Sequence, residues 1–219
     1  MATWSEQIFS NDAHDVYDVH YDDDRITTTV TADPATVTNW ISQVEWIHRR
    51  RLHNLVIGLD VEWRPNVHRN QQNPVALLQL CVGRVLQLCA GGRCLIFQLL
   101  RSPIIPYSLS EFLNHPTIAF VGVGIETYAS RLDADYGLSV RNCVNLADLS
   151  AYCLEENELR FDGLKRLAWV VLRKVVAKPA EIMWSEWDSE RLLHDQVAYA
   201  SIHAFVSFQM GRYLFSNYF

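Results

Sequence analysis

The chain has 219 residues, 49% of them apolar, and a formal net charge of −6. That length and content suit one domain with a sizeable core. No apolar run reaches the roughly 18 to 20 residues that a membrane span needs, and Met1-Ala2-Thr3-Trp4-Ser5-Glu6 is no signal peptide. The charge is unevenly placed. Residues 1–24 hold seven acids and no Lys or Arg, leaving 18 acids and 19 bases in residues 25–219. The body is therefore near neutral, which permits phosphate contacts but excludes strong non-specific attraction to nucleic acid. Five cysteines, at 81, 89, 94, 143 and 153, show no paired metal spacing. They read as reduced thiols in a cytoplasmic or nuclear protein.

Residues 1–15 are expected to be poorly ordered. Alternation over Val16–Tyr21 and Arg25–Thr31, around Asp22-Asp23-Asp24, predicts a hairpin. Asp33-Pro34 starts a helix, and Val37, Trp40, Ile41, Val44 and Ile47 carry its apolar face to about Arg51. A strand over 55–63 is followed by a polar loop, Arg64–Asn73. Val75–Val82 and Arg93–Leu99 read as strands around a Gly91-Gly92 turn, which Cys89 and Cys94 flank. Leu109–Asn114 is a short helix, Ile118–Val123 a buried strand, and Glu126–Tyr136 a helix ended by Gly137. A short strand over Asn142–Val144 precedes a helix over Leu146–Leu154. Helices over Phe161–Val171 and Ser189–Leu214 close the chain, joined by a connection containing Pro and Trp. Strands first and helices later predict a three-layer α/β/α fold around a mixed sheet.

Three segments carry chemistry. In Val56-Ile57-Gly58-Leu59-Asp60-Val61-Glu62-Trp63 the two acids stand two apart on a strand, so both project from one face. Adjacent like charges in an apolar run call for a cation between them. A divalent metal ion meets that need, and so do Arg, Lys or helix N-termini. Val121-Gly122-Val123-Gly124-Ile125 joins a strand to a helix. Its glycines suit either backbone approach to a phosphate or close helix–strand packing. On the last helix, Tyr199 and His203 are four apart and share a face among apolar neighbours. A histidine there is more often a satisfied core group than a ligand.

Together, Asp-Val-Glu on a strand, Val-Gly-Val-Gly-Ile before a helix and Tyr-Ala-x-x-x-Ala on a late helix resemble the DEDDy 3′–5′ exonucleases. The likeness is to the Werner syndrome exonuclease group, and within it to small plant exoribonucleases that clear RISC cleavage fragments. Leu164-Lys165-Arg166-Leu167-Ala168 and Lys178-Pro179, Trp187 and Gln196-Val197 add to the resemblance, which covers about residues 25–215. It implies an RNase H-like, DnaQ-like fold for 25–219, behind an acidic arm at 1–24. It further implies Mg²⁺ or Mn²⁺, a single-stranded RNA or DNA substrate (RNA foremost), and a homo-oligomer such as a hexameric ring, with no membrane partner. Asp60, Glu62 and Tyr199 fall on catalytic positions of the family. Gly122, Gly124 and Trp63 are candidates for holding substrate.

The resemblance also locates two departures. The family's second and third aspartates fall on Tyr128 and His203. Imidazole suits Mn²⁺ or Zn²⁺ better than Mg²⁺, so Asp60, Glu62 and His203 are the expected metal set. Glu126, Asp133, Asp148 or an acid from a neighbouring subunit are the remaining sources of a carboxylate. Two functions follow: a metal-dependent exonuclease, or a degenerate exonuclease fold kept as an oligomeric nucleic-acid-binding scaffold.

Overall fold

The computed structural model describes residues 3–66, 68, 72–83 and 91–219. Among them are eight strands: β1 (Trp4–Ser10), β2 (His14–Tyr21), β3 (Asp24–Thr31), β4 (Val56–Glu62), β5 (Leu77–Gly83), β6 (Gly91–Gln98), β7 (Ala119–Gly122) and β8 (Cys143–Asn145). The α-helices are α1 (Pro34–His48), α2 (Tyr107–Leu113), α3 (Ile125–Tyr136), α4 (Leu146–Leu154), α5 (Leu164–Leu172), α6 (Ala180–Met183) and α7 (His194–Tyr218). The strands form one sheet in the order β1-β2-β3-β6-β5-β4-β7-β8. Three junctions are parallel, β3 with β6, β4 with β7, and β7 with β8. The others are antiparallel. This is the mixed three-layer α/β arrangement expected of an RNase H-like fold.

Local chemistry sets the boundaries. Asp33 caps α1 by accepting from the Thr36 amide at 2.8 Å, with Pro34 in the first turn. The β2–β3 hairpin turns through Asp22, whose φ of +52° is one that aspartate tolerates. Gly137, at φ +66°, ends α3. Helices α1–α3 cover one face of the sheet through Val37, Trp40, Phe112 and Ile125, which meet Ile57, Leu59 and Leu78. The other face packs on α4, α5 and α7 through Leu146, Leu167, Phe205 and Met210. Strands covered on both faces read as apolar runs, as β5 does. Among the described residues no helix is long and apolar enough to cross a membrane.

Several expectations are corrected. Residues 1–15, expected to be poorly ordered, contain β1, which pairs with β2 and extends the sheet. Two acids of the N-terminal segment are buried with partners. Asp18 meets Arg25 and Thr27, and Asp24 meets Lys174 and Gln209. Gly91 and Gly92 open β6 instead of forming a turn. A β-carbon on Gly91 would lie 2.1 Å from the Arg25 carbonyl oxygen, so close packing on β3 explains that glycine. Nor are all the cysteines free thiols. Cys81 and Cys94 face each other across β5 and β6 and form a disulfide, with Cα atoms 4.2 Å apart. Sequence spacing does not reveal that register. Cys143 and Cys153 are free, and Cys89 lies outside the described residues. Helix α7 starts at His194 rather than near Ser189, because Gln196 accepts from the Leu193 amide at 2.9 Å and caps it there.

Candidate active site

Along β4, Ile57, Leu59 and Val61 enter the layer of α1–α3. Alternation sends Gly58, Asp60 and Glu62 to the opposite face, toward α7. Gly58 decides how near that helix comes: its β-carbon would sit 1.9 Å from the Ala204 carbonyl oxygen. The α7 backbone therefore rests on the strand, and the residues just before Ala204 are delivered to Asp60. His203 Nδ1 lies 3.4 Å from Asp60 Oδ2. The Tyr199 ring packs on the His203 ring, with centroids 3.9 Å apart.

Asp60, Glu62 and His203 each offer one ligating atom, and these atoms lie within 4.8 Å of one another. They line a cavity of about 570 Å³ that also takes in Trp63, Tyr128, Lys178, Trp184 and Tyr199. Asp60 and His203 are buried, at 7% and 8% exposed. His203 Nε2 has no hydrogen-bond partner. A buried polar nitrogen without a partner is costly unless something supplies one. Two carboxylates and an imidazole fit a divalent ion and leave further coordination positions open, as a catalytic centre requires.

The surrounding charges reinforce this. Burial, and then the Asp60 charge, push the Glu62 carboxyl well above the usual carboxylate range, while Lys178 pulls it back. The Asp60 charge raises the Tyr128 phenol most, followed by burial, the Glu62 charge and a hydrogen-bond interaction with Asp60. Burial, then Glu62 and Asp60, raise the Tyr199 phenol. Both tyrosines are thus held as neutral O–H donors. Tyr128 lies against the Asp60 carboxylate and hydrogen-bonds to it.

The structure brings Asp60, Glu62, Tyr199, His203 and Trp63 into one cavity, but leaves two glycines out of it. A β-carbon on Gly122 would meet the Leu59 carbonyl oxygen at 2.7 Å, so its role is strand packing. Gly124 has φ +72°, and its amide donates to Asn145 Oδ1 at 3.3 Å. The remaining acids are engaged outside the cavity. Glu126 accepts from Asn145, Asp133 accepts from Ser139, and Asp148 pairs with Arg160. Lys178 and Trp184 were missed as site residues. Lys178-Pro179 had stood out only as part of a resemblance, and nothing in the sequence singles out Trp184.

Residues 30–214 match the 3′–5′ exonuclease family. The chain belongs to that family. Its relatives include human exonuclease 3′-5′ domain-containing protein 2, 37% identical over 175 residues, or 75% of this chain and 26% of that protein. An Arabidopsis thaliana 3′-5′ exonuclease is 29% identical over 159 residues, covering 72% of this chain and 52% of that one. The mouse bifunctional 3′-5′ exonuclease/ATP-dependent helicase WRN is 30% identical over 150 residues, covering 68% of this chain and 10% of that one. The chain thus spans from a tenth to about half of the length of these relatives. Among solved structures, the EXD2 exonuclease domain soaked in Mn is 29% identical, with a TM-score of 0.48, covering 86% of this chain and 89% of that one. The matched span, 30–214, contains Asp60, Glu62, Tyr128, Tyr199 and His203.

Proposed function

We propose that this chain is a metal-dependent 3′–5′ exonuclease that hydrolyses phosphodiester bonds of single-stranded RNA or DNA. Its centre is built from Asp60, Glu62 and His203. The observation that carries this reading is the convergence of those three groups, each with a ligating atom within 4.8 Å of the others, on a histidine that is buried and whose Nε2 has no partner. A divalent ion, Mn²⁺ or Mg²⁺, supplies there an activated water and charge neutralisation at the scissile phosphate. Asp60 and Glu62 hold that charge in place, and the imidazole shifts preference toward Mn²⁺. The neutral Tyr199 phenol orients the attacking water by donating a hydrogen bond. Lys178, at the cavity wall near Glu62, draws the substrate phosphate inward. Tyr128, hydrogen-bonded to Asp60, adds no carboxylate, so Asp60, Glu62 and His203 would hold a single ion.

The test is digestion of labelled single-stranded RNA and DNA with Mn²⁺ or Mg²⁺, beside an Asp60→Asn, Glu62→Gln double variant. Release of nucleotides from the 3′ end by wild type alone supports the enzyme. The second reading is a degenerate fold retained as an oligomeric scaffold for nucleic-acid ends. Tyr128 and His203, standing where carboxylates belong, favour it. No release with either metal, together with no metal binding, would establish it over the first. Both readings include self-association as a closed ring. Trp4, Ile8 and Phe9, exposed on edge strand β1, support that contact.

A further inference from the structure

Trp184 is 69% exposed, yet it lines the same cavity as Asp60, Glu62 and His203. Three other tryptophans are substantially exposed, and each has a ring partner. Trp4 stacks on His20 at 3.9 Å, Arg49 lies 4.4 Å from the Trp46 ring, and Arg173 lies 5.9 Å from the Trp169 ring. Trp63, also in the cavity, has Arg131 over its face at 3.9 Å. Among the described residues nothing aromatic or cationic covers Trp184. It is a bare, exposed indole on the lining of the cavity.

Its backbone is nevertheless fixed. The Trp184 amide donates to the Ala180 carbonyl at 3.0 Å, closing the short helix α6. Ser185 Oγ accepts from Gln196 Nε2 at 2.8 Å, and that amide also reaches the Glu186 carbonyl. Trp187 is fully buried, 5.7 Å from the Tyr199 ring. Arg64 binds Glu186 and Asp188 from the other side. The segment is thus anchored on both sides of position 184. An exposed aromatic on such a support is organised in advance for a flat ligand. Lys178 lines the same cavity, and among the described residues it has no carboxylate within ion-pair distance.

We infer that Trp184 is the stacking platform for the base of the 3′-terminal nucleotide, with Lys178 on that nucleotide's phosphate. This rests on the exonuclease reading of the cavity and names how that site selects substrate. Base–indole stacking is tolerant of sequence because every base has a π-face. A paired terminal base has its edge and one face already engaged, so the platform favours an unpaired end. The cavity volume of about 570 Å³ lies within the range of roughly 300 to 1,000 Å³ typical of small-molecule sites.

The experiment is fluorescence anisotropy in EDTA, where no cleavage occurs, with 5′-labelled single strands that end in either a normal or an abasic 3′-terminal nucleotide. Trp184→Ala should weaken binding of the normal strand roughly tenfold and leave the abasic strand unchanged. Trp184→Phe should recover most of the loss on the normal strand. Lys178→Gln should weaken both strands alike, since the abasic nucleotide keeps its phosphate. An unchanged affinity in Trp184→Ala, an equal loss on both strands, or no binding of either strand by wild type overturns the platform. No loss in Lys178→Gln overturns the lysine's part. Catalysis is scored separately, by Mn²⁺-dependent release of nucleotides from wild type. The expected binding pattern without release keeps the platform and removes the enzyme reading. Release without the pattern does the reverse.

Discussion

Gly58 and Ala204 touch backbone to backbone: a β-carbon on the glycine would fall 1.9 Å from the alanine carbonyl oxygen and 2.7 Å from the Phe208 amide. Neither neighbour is a flexible side-chain tip that can step aside. Gly58→Ala must therefore push α7 off β4, and overpacking of this kind costs about 1–3 kcal/mol or more. The expected outcome is a lower unfolding midpoint in denaturant, together with weakened Mn²⁺ binding by calorimetry. A variant as stable as wild type would show that the helix does not rest on the strand in this way.

Tyr128 and His203 set the number and kind of ions. Tyr128→Asp removes the phenol that faces Asp60 and restores an acid, so Mn²⁺ stoichiometry should rise from one to two per chain. His203→Asp should lower the preference for Mn²⁺ over Mg²⁺ by roughly an order of magnitude or more, because it exchanges nitrogen for oxygen. Isothermal calorimetry with each metal checks both. If His203 is only a core group, His203→Asp instead loses stability by burying a charge and gains no affinity for Mg²⁺.

The pair Asp60 and Glu62 was legible in the chain because strand alternation is a local rule, and the pairing of Tyr199 with His203 because helical spacing is another. What joins the two pairs is not local. It depends on α7 crossing β4 at Gly58, a contact between residues 146 positions apart that appears in the sequence only as one more glycine. The same limit hid the disulfide, since Cys81 faces Cys94 only once β5 and β6 are in register. Strand β1 was missed for a different reason. As an edge strand it buries little, so its composition resembles a solvated tail. Trp184 was invisible because exposure is a property of the fold rather than of the residue.

Glu62 predicts a pH dependence. Its folded-state carboxyl titrates well above the ordinary 4.5, from burial first and Asp60 second. Between the ordinary and the raised value, the unfolded chain has lost a proton that the folded chain keeps. Metal-free stability therefore falls as pH rises through that interval. Thermal melts from about pH 5 to about pH 8 should show this decline in wild type without metal, and a flatter profile in Glu62→Gln. Added Mn²⁺ should reverse the decline, since the ion binds the deprotonated carboxylate.

Self-association gives a simple measurement. Light scattering at micromolar concentration should report a mass well above the 25.2 kDa of one chain. Ile8→Lys, which puts a charge on the open edge strand, should shift the mass toward 25.2 kDa with little loss of unfolding free energy. A wild-type protein that is monomeric throughout removes the ring.

Helix α7 carries His203 and Tyr199 and also packs, with α4 and α5, along one face of the sheet. Occupancy of the site and integrity of the fold are therefore linked variables. An ion that binds only the folded chain deepens the native well by an amount set by its concentration relative to Kd. Amide exchange across β4, β5 and α7 should slow together when Mn²⁺ is added, including at positions far from any ligand. Loss of activity in a variant anywhere along this helix then has two possible origins, a changed site or a shallower well, and exchange rates tell them apart.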